Sequence, residues 1–393
     1  RGASRCRGLL SVVVDELRAD PGRTMRGRLL RIAWAVVLPW SAACATAAPV
    51  SRSLVPRDTP APFIAGYHTY WTGDAWRSYP LDVLDELFFF ETEAGADGSL
   101  EALWGWPDEW TELRSATLDA GVQFVPTVSM HDPDAFETLF PDARRVDRLV
   151  ESTLDLLAAD SALAGIHLDF EVFRPVSTEA RDGFTGYVAA LAEAMDARYP
   201  GKSLSVFALA FDGDDVYNER ALGQLADYLV VQGYDYFSAG SESAGPVGAT
   251  TGWGALNWQT VVERFDDFGV PRHKLVMGVP LYGYEWPVVS DEPGAATRGE
   301  GRTVPFTAPD GVLPDDPRAV DRVRAHGVRR DEVSGVPWYS FESDDGWVQG
   351  WFDDAESLRT KYQFVLDEGL GGIAFFPLAY GCLLYTSDAA DDL

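Results

Sequence analysis

Eight short, nearly continuous apolar runs recur along this chain between stretches of helical pattern, and that rhythm restricts the fold more than any other feature. The runs are FIAGYHTYW (63–71), LDELFFFETE (84–93), GVQFVPTVSM (121–130), LAGIHLDFE (163–171), SLSVFALAF (203–211), YLVVQGYDY (228–236), KLVMGVPLYG (274–283) and GGIAFFPLA (371–379). A strand that is apolar on both faces is a strand buried on both faces, which is the condition of a parallel sheet covered by helices. The intervening 178–199 shows the helical period, with Phe184, Tyr187, Val188, Leu191 and Met195 on one face and Gly201 placed to cap its end. Eight such units over roughly 320 residues predict a closed (β/α)8 TIM barrel. A doubly wound open sheet fits the alternation less well, because no Gly-rich nucleotide loop follows the first run. The stretch 287–350 is longer and more polar than the other connections and is expected to be a small α+β insertion, with a hairpin, between strands 7 and 8.

Both ends read differently from the middle. The chain starts at Arg1, and its first methionine is Met25. From Met25, MRGRLLRIAWAVVLPWSAACATAAPV has the basic start, apolar run and small residues of a secretory signal peptide, with Ala45-Thr46-Ala47 as an A-x-A site. The expected organisation is therefore over-translated sequence at 1–24, a signal at 25–48, a Pro/Ser linker at 49–62 and the folded domain at 63–381. Export without a membrane span is expected. A lipid anchor at Cys44 is the lesser alternative, since Ser41 stands where lipoproteins usually have leucine. The final CLLYTSDAADDL (382–393) translates a transposon-type sequencing adaptor in the frame that completes the Gly381 codon, so the barrel is expected to be cut short after about Gly381.

Composition narrows the function. The formal charge of −29 argues against nucleic acid or an anionic membrane surface as partner. Outside the two end segments there is no cysteine, hence no disulfide or thiol chemistry. Thirteen tryptophans and fifteen tyrosines fill a core or offer flat surfaces to sugar rings. Barrel active sites lie at the C-terminal strand ends. There the fourth run carries His167, Asp169 and Glu171 on alternate positions, projecting to one side of the strand. Tyr67, His68, Trp71, His131, Gln232, Tyr234, Asp235, Tyr282, Trp286 and Phe376 end the other runs. Glu171 suits a general acid whose pKa burial and a neighbouring carboxylate can raise. A salt-bridged pair at a strand end is the plain alternative for Asp169 and Glu171, and simple hydrogen-bonded histidines the plain reading of His68 and His131.

LAGIHLDFE resembles the D-x-x-D-x-D-x-E signature of family 18 glycoside hydrolases, the chitinase family. VQGYDY is similar to that family's M-x-Y-D on the sixth strand. Its second, seventh and eighth strands resemble LFFFETEAGADGSL, KLVMGVPLYG and WFDDAESLRTKYQFVLDEGLGGIAFF. The likeness runs in order through 63–381 and is nearest to the bacterial branch with spore-cortex and cell-wall glucosaminidases. It implies a retaining, substrate-assisted hydrolase of β-linked N-acetylglucosamine glycans, monomeric and without a cofactor or metal. Glu171 would be acid and base, Asp169 would orient the acetamido group, and Tyr234 would hold its oxygen. Asp235, Gln232, Tyr67, Trp71, Tyr282, Trp286 and Phe376 would bind substrate, Phe376 where the family usually has tryptophan. Three positions depart from the pattern: Ala164 and His167 replace aspartates, and Gln232 replaces methionine. His167 would hydrogen-bond Asp169 or, if protonated, ion-pair with it, and so modulate the pH profile. Two rivals are a non-catalytic sugar-binding barrel, although lectin-like relatives typically lose the glutamate kept here, and a metal-dependent hydrolase using His68, His131, His167 and Asp169. No H-x-H or H-x-x-x-H spacing supports the metal set.

Resequencing the locus with a library method that uses no transposon adaptor is expected to replace 382–393 with a different continuation. Recovery of the same twelve residues would show the tail to be genuine.

Overall fold

The computed structural model describes residues 62–381 apart from Asp310 and Pro314. Residues 1–61, which hold the expected export signal with Cys44 and the expected linker, and residues 382–393 lie outside the described residues. Eight parallel strands close into a barrel: β1 (Phe63–Thr69), β2 (Glu86–Ala94), β3 (Gln123–Met130), β4 (Gly165–Phe170), β5 (Ser203–Ala208), β6 (Tyr228–Val231), β7 (Leu275–Pro280) and β8 (Gly372–Phe376). Each pairs with its neighbour in sequence, and β1 closes the ring between β8 (Phe63 opposite Gly372) and β2 (Ala65 opposite Glu86). The strands are buried almost throughout, which accounts for their continuous apolar character.

The outer layer follows from capping and periodicity. Ser177 accepts a hydrogen bond from the Ala180 amide and starts the helix Thr178–Arg198, whose Phe184, Tyr187, Val188, Leu191 and Met195 are buried. That helix ends at Tyr199, and Gly201 takes its left-handed φ of 88° in the turn beyond rather than at the cap. Asn257 and a left-handed Gly269 bracket Trp258–Phe268 in the same way. Between β1 and β2 the chain forms only 3-10 turns, Tyr70–Ser78 and Leu81–Val83. Among the described residues, no helix is long and apolar enough to cross a membrane.

The seventh apolar run divides. Leu275–Pro280 stays in the barrel, whereas Tyr282–Pro287 leaves it and enters a second, antiparallel sheet. This sheet has five strands in the order Arg302–Pro305, Tyr282–Pro287, Gly346–Trp351, Pro337–Ser343 and Arg329–Arg330, with the helix Ala319–His326 beside it. The lobe therefore begins at Tyr282, ahead of the composition change at 287, and is the expected α+β insertion, built on a five-stranded sheet. Glu285 is buried at its centre and accepts from Arg302 (Nε, 3.1 Å) and from Tyr339 (Oη, 2.9 Å); the Arg322 guanidinium lies 2.8 Å away. A buried carboxylate needs this degree of pairing.

A second buried ion pair, Lys361 with Asp353, secures the helix Ala355–Asp367 that leads into β8. Ser357 Oγ donates to the same carboxylate at 2.7 Å. Removing one member leaves an uncompensated buried charge, so Lys361→Met is expected to cost about 3–5 kcal/mol. Asp353→Asn added to it should return part of that loss, as read from chemical denaturation midpoints.

Candidate active site

His167 and Asp169 stand on alternate positions of β4, and Glu171 follows its last residue, Phe170. His167 is wholly buried. Its Nε2 lies 2.8 Å from Tyr67 Oη, its Nδ1 lies 2.8 Å from Ser205 Oγ, and its ring lies against Phe88 at 4.4 Å. Both ring nitrogens are thus occupied by hydroxyls from β1 and β5. Burial lowers the imidazole pKa to about 3. Neither nitrogen reaches Asp169, so of the two roles open to it, a hydrogen bond or an ion pair with Asp169, the ring takes neither and belongs to the interior hydrogen-bond network. The physical reason is desolvation with no carboxylate among its hydrogen-bond partners.

Asp169 is buried, and its Oδ1 has no hydrogen-bond partner among the described residues. Burial first, and then the charge of Glu171, push its pKa well above the carboxylate range; His131 opposes this and Glu91 adds to it. Glu171 sits just past the end of β4, where its amide donates to the Met130 carbonyl at 2.9 Å. Burial raises its carboxyl to about 7, with His131 pulling down and Asp235 and Glu91 pushing up. Such a carboxyl keeps its proton close to neutral pH and can deliver it.

On the far side, Tyr234 and Asp235 follow β6. The Tyr234 ring is parallel to Phe376 within 8° at 6.2 Å and edge-on to Tyr282, also at 6.2 Å. Asp235 adopts a left-handed φ of 60°, which Asp tolerates better than most residues. Its Oδ1 accepts from Tyr282 Oη at 3.0 Å, and burial lifts it to about 6 against the opposing hydroxyls of Tyr282 and Tyr284. Gln232 is half-buried at the end of the same strand. Phe376, the last residue of β8, meets Tyr67 at 5.5 Å and Phe90 at 5.6 Å. Trp71 stands edge-on to Phe90 at 5.8 Å and donates its indole N–H to Tyr380 Oη at 3.3 Å.

Trp286 does not join this group. It is fully buried in the lobe and donates to the Ser238 carbonyl at 3.0 Å, so it ties the lobe to the loop after β6 instead of facing a ligand. His68 also falls elsewhere. As the next residue after Tyr67 it takes the opposite face of β1, bonded to Tyr79 Oη at 3.0 Å and set against Trp110, with burial lowering it to about 3. The set His68, His131, His167 and Asp169 therefore does not converge.

The structure gives His131 a partner, Glu91, that no motif singled out. Glu91 on β2 meets His131 beyond β3, with Oε2 and Nε2 3.1 Å apart. Burial would lower His131, but the Glu91 hydrogen bond and the charges of Asp169, Glu91 and Glu171 outweigh it and carry the imidazole to about 9. The signal was present in LFFFETE, where two glutamates interrupt an apolar strand. The general profile of glycosyl hydrolases family 18 matches residues 65–381. The chain belongs to glycosyl hydrolase family 18. It is 27% identical over 249 residues to the putative sporulation-specific glycosylase YdhD of Bacillus subtilis, covering 61% of this chain and 52% of that protein. The cortical fragment-lytic enzyme of the same organism is 24% identical, covering 75% of this chain and 64% of that protein. The chain thus spans about half to two thirds of the length of these curated relatives. Its fold matches the spore cortex-lytic enzyme SleL of Bacillus cereus (TM-score 0.64, 20% identity, 83% of this chain and 73% of that one). It also matches a chitinase of Cycas revoluta in complex with (GlcNAc)3 (TM-score 0.68, 19% identity, 81% and 95%).

For this family 18 chain the His131 cation is the group that holds Glu171 down. A positive neighbour favours the carboxylate, so its removal must favour the acid. In His131→Asn the Glu171 midpoint is expected to move above about 7, followed by carbon-13 NMR of labelled glutamate carboxyls. A midpoint that stays or falls would contradict the assignment of the charges.

Proposed function

We propose that this protein is an exported, retaining hydrolase of glycans containing β-linked N-acetylglucosamine, and that the substrate's own acetamido group is the nucleophile. The observation that carries the reading is the Glu171 carboxyl, raised to about 7 at the end of β4 beside a second buried carboxyl, Asp169. Family membership supports it, as do relatives named for cortex-fragment lysis and a fold neighbour holding N-acetylglucosamine units. Substrate assistance in this family removes the need for an enzymic carboxylate nucleophile.

In the first step Glu171 gives its proton to the glycosidic oxygen as the bond from C1 to that oxygen breaks, and the acetamido carbonyl oxygen closes on C1. The leaving chain departs with the proton. Asp169 takes the hydrogen bond of the acetamido N–H, and its unpartnered Oδ1 is the atom free to do so. Tyr234 donates its hydroxyl to the acetamido oxygen, and its raised pKa, from burial first and Glu171 next, keeps that hydrogen in place. Asp235, positioned by Tyr282, supports the sugar. In the second step the Glu171 carboxylate takes a proton from water while the water oxygen bonds to C1. The acetamido group is released, and configuration is retained. Phe376 and Trp71 offer rings to the sugar faces. His167 shapes the floor through Tyr67 and stays outside the proton transfers. The signal at 25–48 would deliver the enzyme to its polymer outside the cell.

Removing a general acid typically costs about 10²–10⁴ in rate. Glu171→Gln is therefore expected to lose at least about a hundredfold in kcat on N-acetylglucosamine oligomers while still binding them. Unchanged turnover would refute the assignment. Product analysis on chitin, peptidoglycan and N-glycan substrates identifies the polymer.

A further inference from the structure

Glu171 sits where the barrel wall comes apart on one side. Toward β3 the sheet holds to the end: Phe170 is in register with Met130, and the Glu171 amide donates to the Met130 carbonyl at 2.9 Å. Toward β5 the pairing stops at Leu168, opposite Val206, although β5 itself runs on to Ala208. Phe170 and Val172, the neighbours of Glu171 in the chain, are nonetheless buried. Backbone groups left unpaired there would cost about as much as a lost hydrogen bond each.

Tyr217, in the segment between β5 and the helix Glu219–Leu225, supplies what the strand does not. Its hydroxyl donates to the Phe170 carbonyl at 2.5 Å and accepts from the Val172 amide at 2.9 Å. In a parallel ladder, the carbonyl before a residue and the amide after it are the two groups that one residue of the next strand pairs with. A single side-chain oxygen thus stands in for a β5 residue opposite Glu171. The phenol is buried, and burial pushes its pKa up, so its proton stays available to Phe170. The ring is set edge-on to Phe184 at 5.6 Å and to Phe136 at 6.4 Å. Its backbone is fixed too: the Tyr217 amide donates to Asp212 Oδ2 at 2.8 Å, and its carbonyl accepts from Arg181 Nε at 3.2 Å.

We infer that Tyr217 is a positioning residue for the general acid: its hydroxyl clamps the backbone on either side of Glu171 and so sets where that carboxyl meets the glycosidic oxygen. The inference rests on the glycan-hydrolase reading above. Without the clamp, the backbone of the acid would be tied to β3 alone. With it, two strands' worth of hydrogen bonds fix Glu171, although only one strand is paired with it. Placement of this kind governs rate, because a misplacement of about 1 Å at the reacting groups can cost about a hundredfold. Tyr217 bonds to backbone on both sides of Glu171 and takes no part in the proton transfers, so it acts on the reaction through Glu171.

The test compares Tyr217→Phe with Tyr187→Phe in the full-length protein. Tyr187 is an equally buried phenol of the same aromatic cluster, bonded to Thr153 Oγ1 at 2.9 Å instead of to the Glu171 segment. Tyr217→Phe is expected to lower kcat on the N-acetylglucosamine hexamer about tenfold to a hundredfold with KM nearly unchanged, whereas Tyr187→Phe keeps both. In Tyr217→Phe the Val172 amide should exchange faster with solvent. The Glu171 midpoint should fall below about 7 as water relieves its burial. Asp212→Ala frees the same segment from its half-buried side, and a parallel fall in its kcat carries the test if Tyr217→Phe does not fold. Unchanged kcat, a change confined to KM, an equal loss in Tyr187→Phe, or a fall in kcat with Val172 exchange unaltered overturns the clamp. Faster Val172 exchange and a lowered Glu171 midpoint, in a protein whose wild type cleaves no glycan, would sink the hydrolase reading and leave the clamp standing.

Discussion

At the mouth of an apolar barrel burial raises Asp169 and Glu171, nearby carboxylate charge from Glu91 and Asp235 adds to it, and His131 is the counter-charge. Desolvated carboxyls that face further negative charge resist ionisation. Some protons must stay, and burial decides where. That single electrostatic constraint gives the rim its chemistry: a carboxyl still protonated near neutral pH, another with an open oxygen, and an imidazolium that limits how far both are raised. The eight parallel strands enforce it by bringing residues from β2, β3, β4 and β6 to the same end of the barrel.

Below the rim, the interior is crossed by polar groups that satisfy one another. Glu86 accepts from Tyr228, which also interacts with Ser205; Ser205 meets His167, and His167 meets Tyr67. A buried network with its members paired is stable and rigid, and a half-paired one is not. In this setting His167 in place of the family's aspartate is an adjustment of the floor. It orients Tyr67, the ring that Phe376 and Phe90 contact, without placing a further charge beneath Asp169.

Much of this was legible in the chain. The eight apolar runs specified the barrel because parallel strands buried on both faces have to be apolar throughout. The period of two put His167, Asp169 and Glu171 on one side. The misjudged elements share a cause. Tyr282 and Gly283 read as the end of the seventh run, yet Tyr282–Pro287 departs into the lobe because its pairing partners lie at 302–305 and 346–351. Trp286 reads as a lining residue from its place after the seventh run, but the lobe folds over it. Glu91 and His131 carry no shared motif, since they stand 40 residues apart and meet only when β2 and β3 pair.

The sequence by itself determined which elements form and which side of β4 is polar, because periodicity and capping are local properties of neighbouring residues. Tertiary structure alone decided which of those polar groups are charged. His167 is neutral because burial among the strands lowers its pKa to about 3. Glu171 holds its proton because burial and the carboxyls of other strands oppose ionisation. Desolvation and through-space charge depend on what surrounds a group in three dimensions, and a linear order of residues does not carry that information.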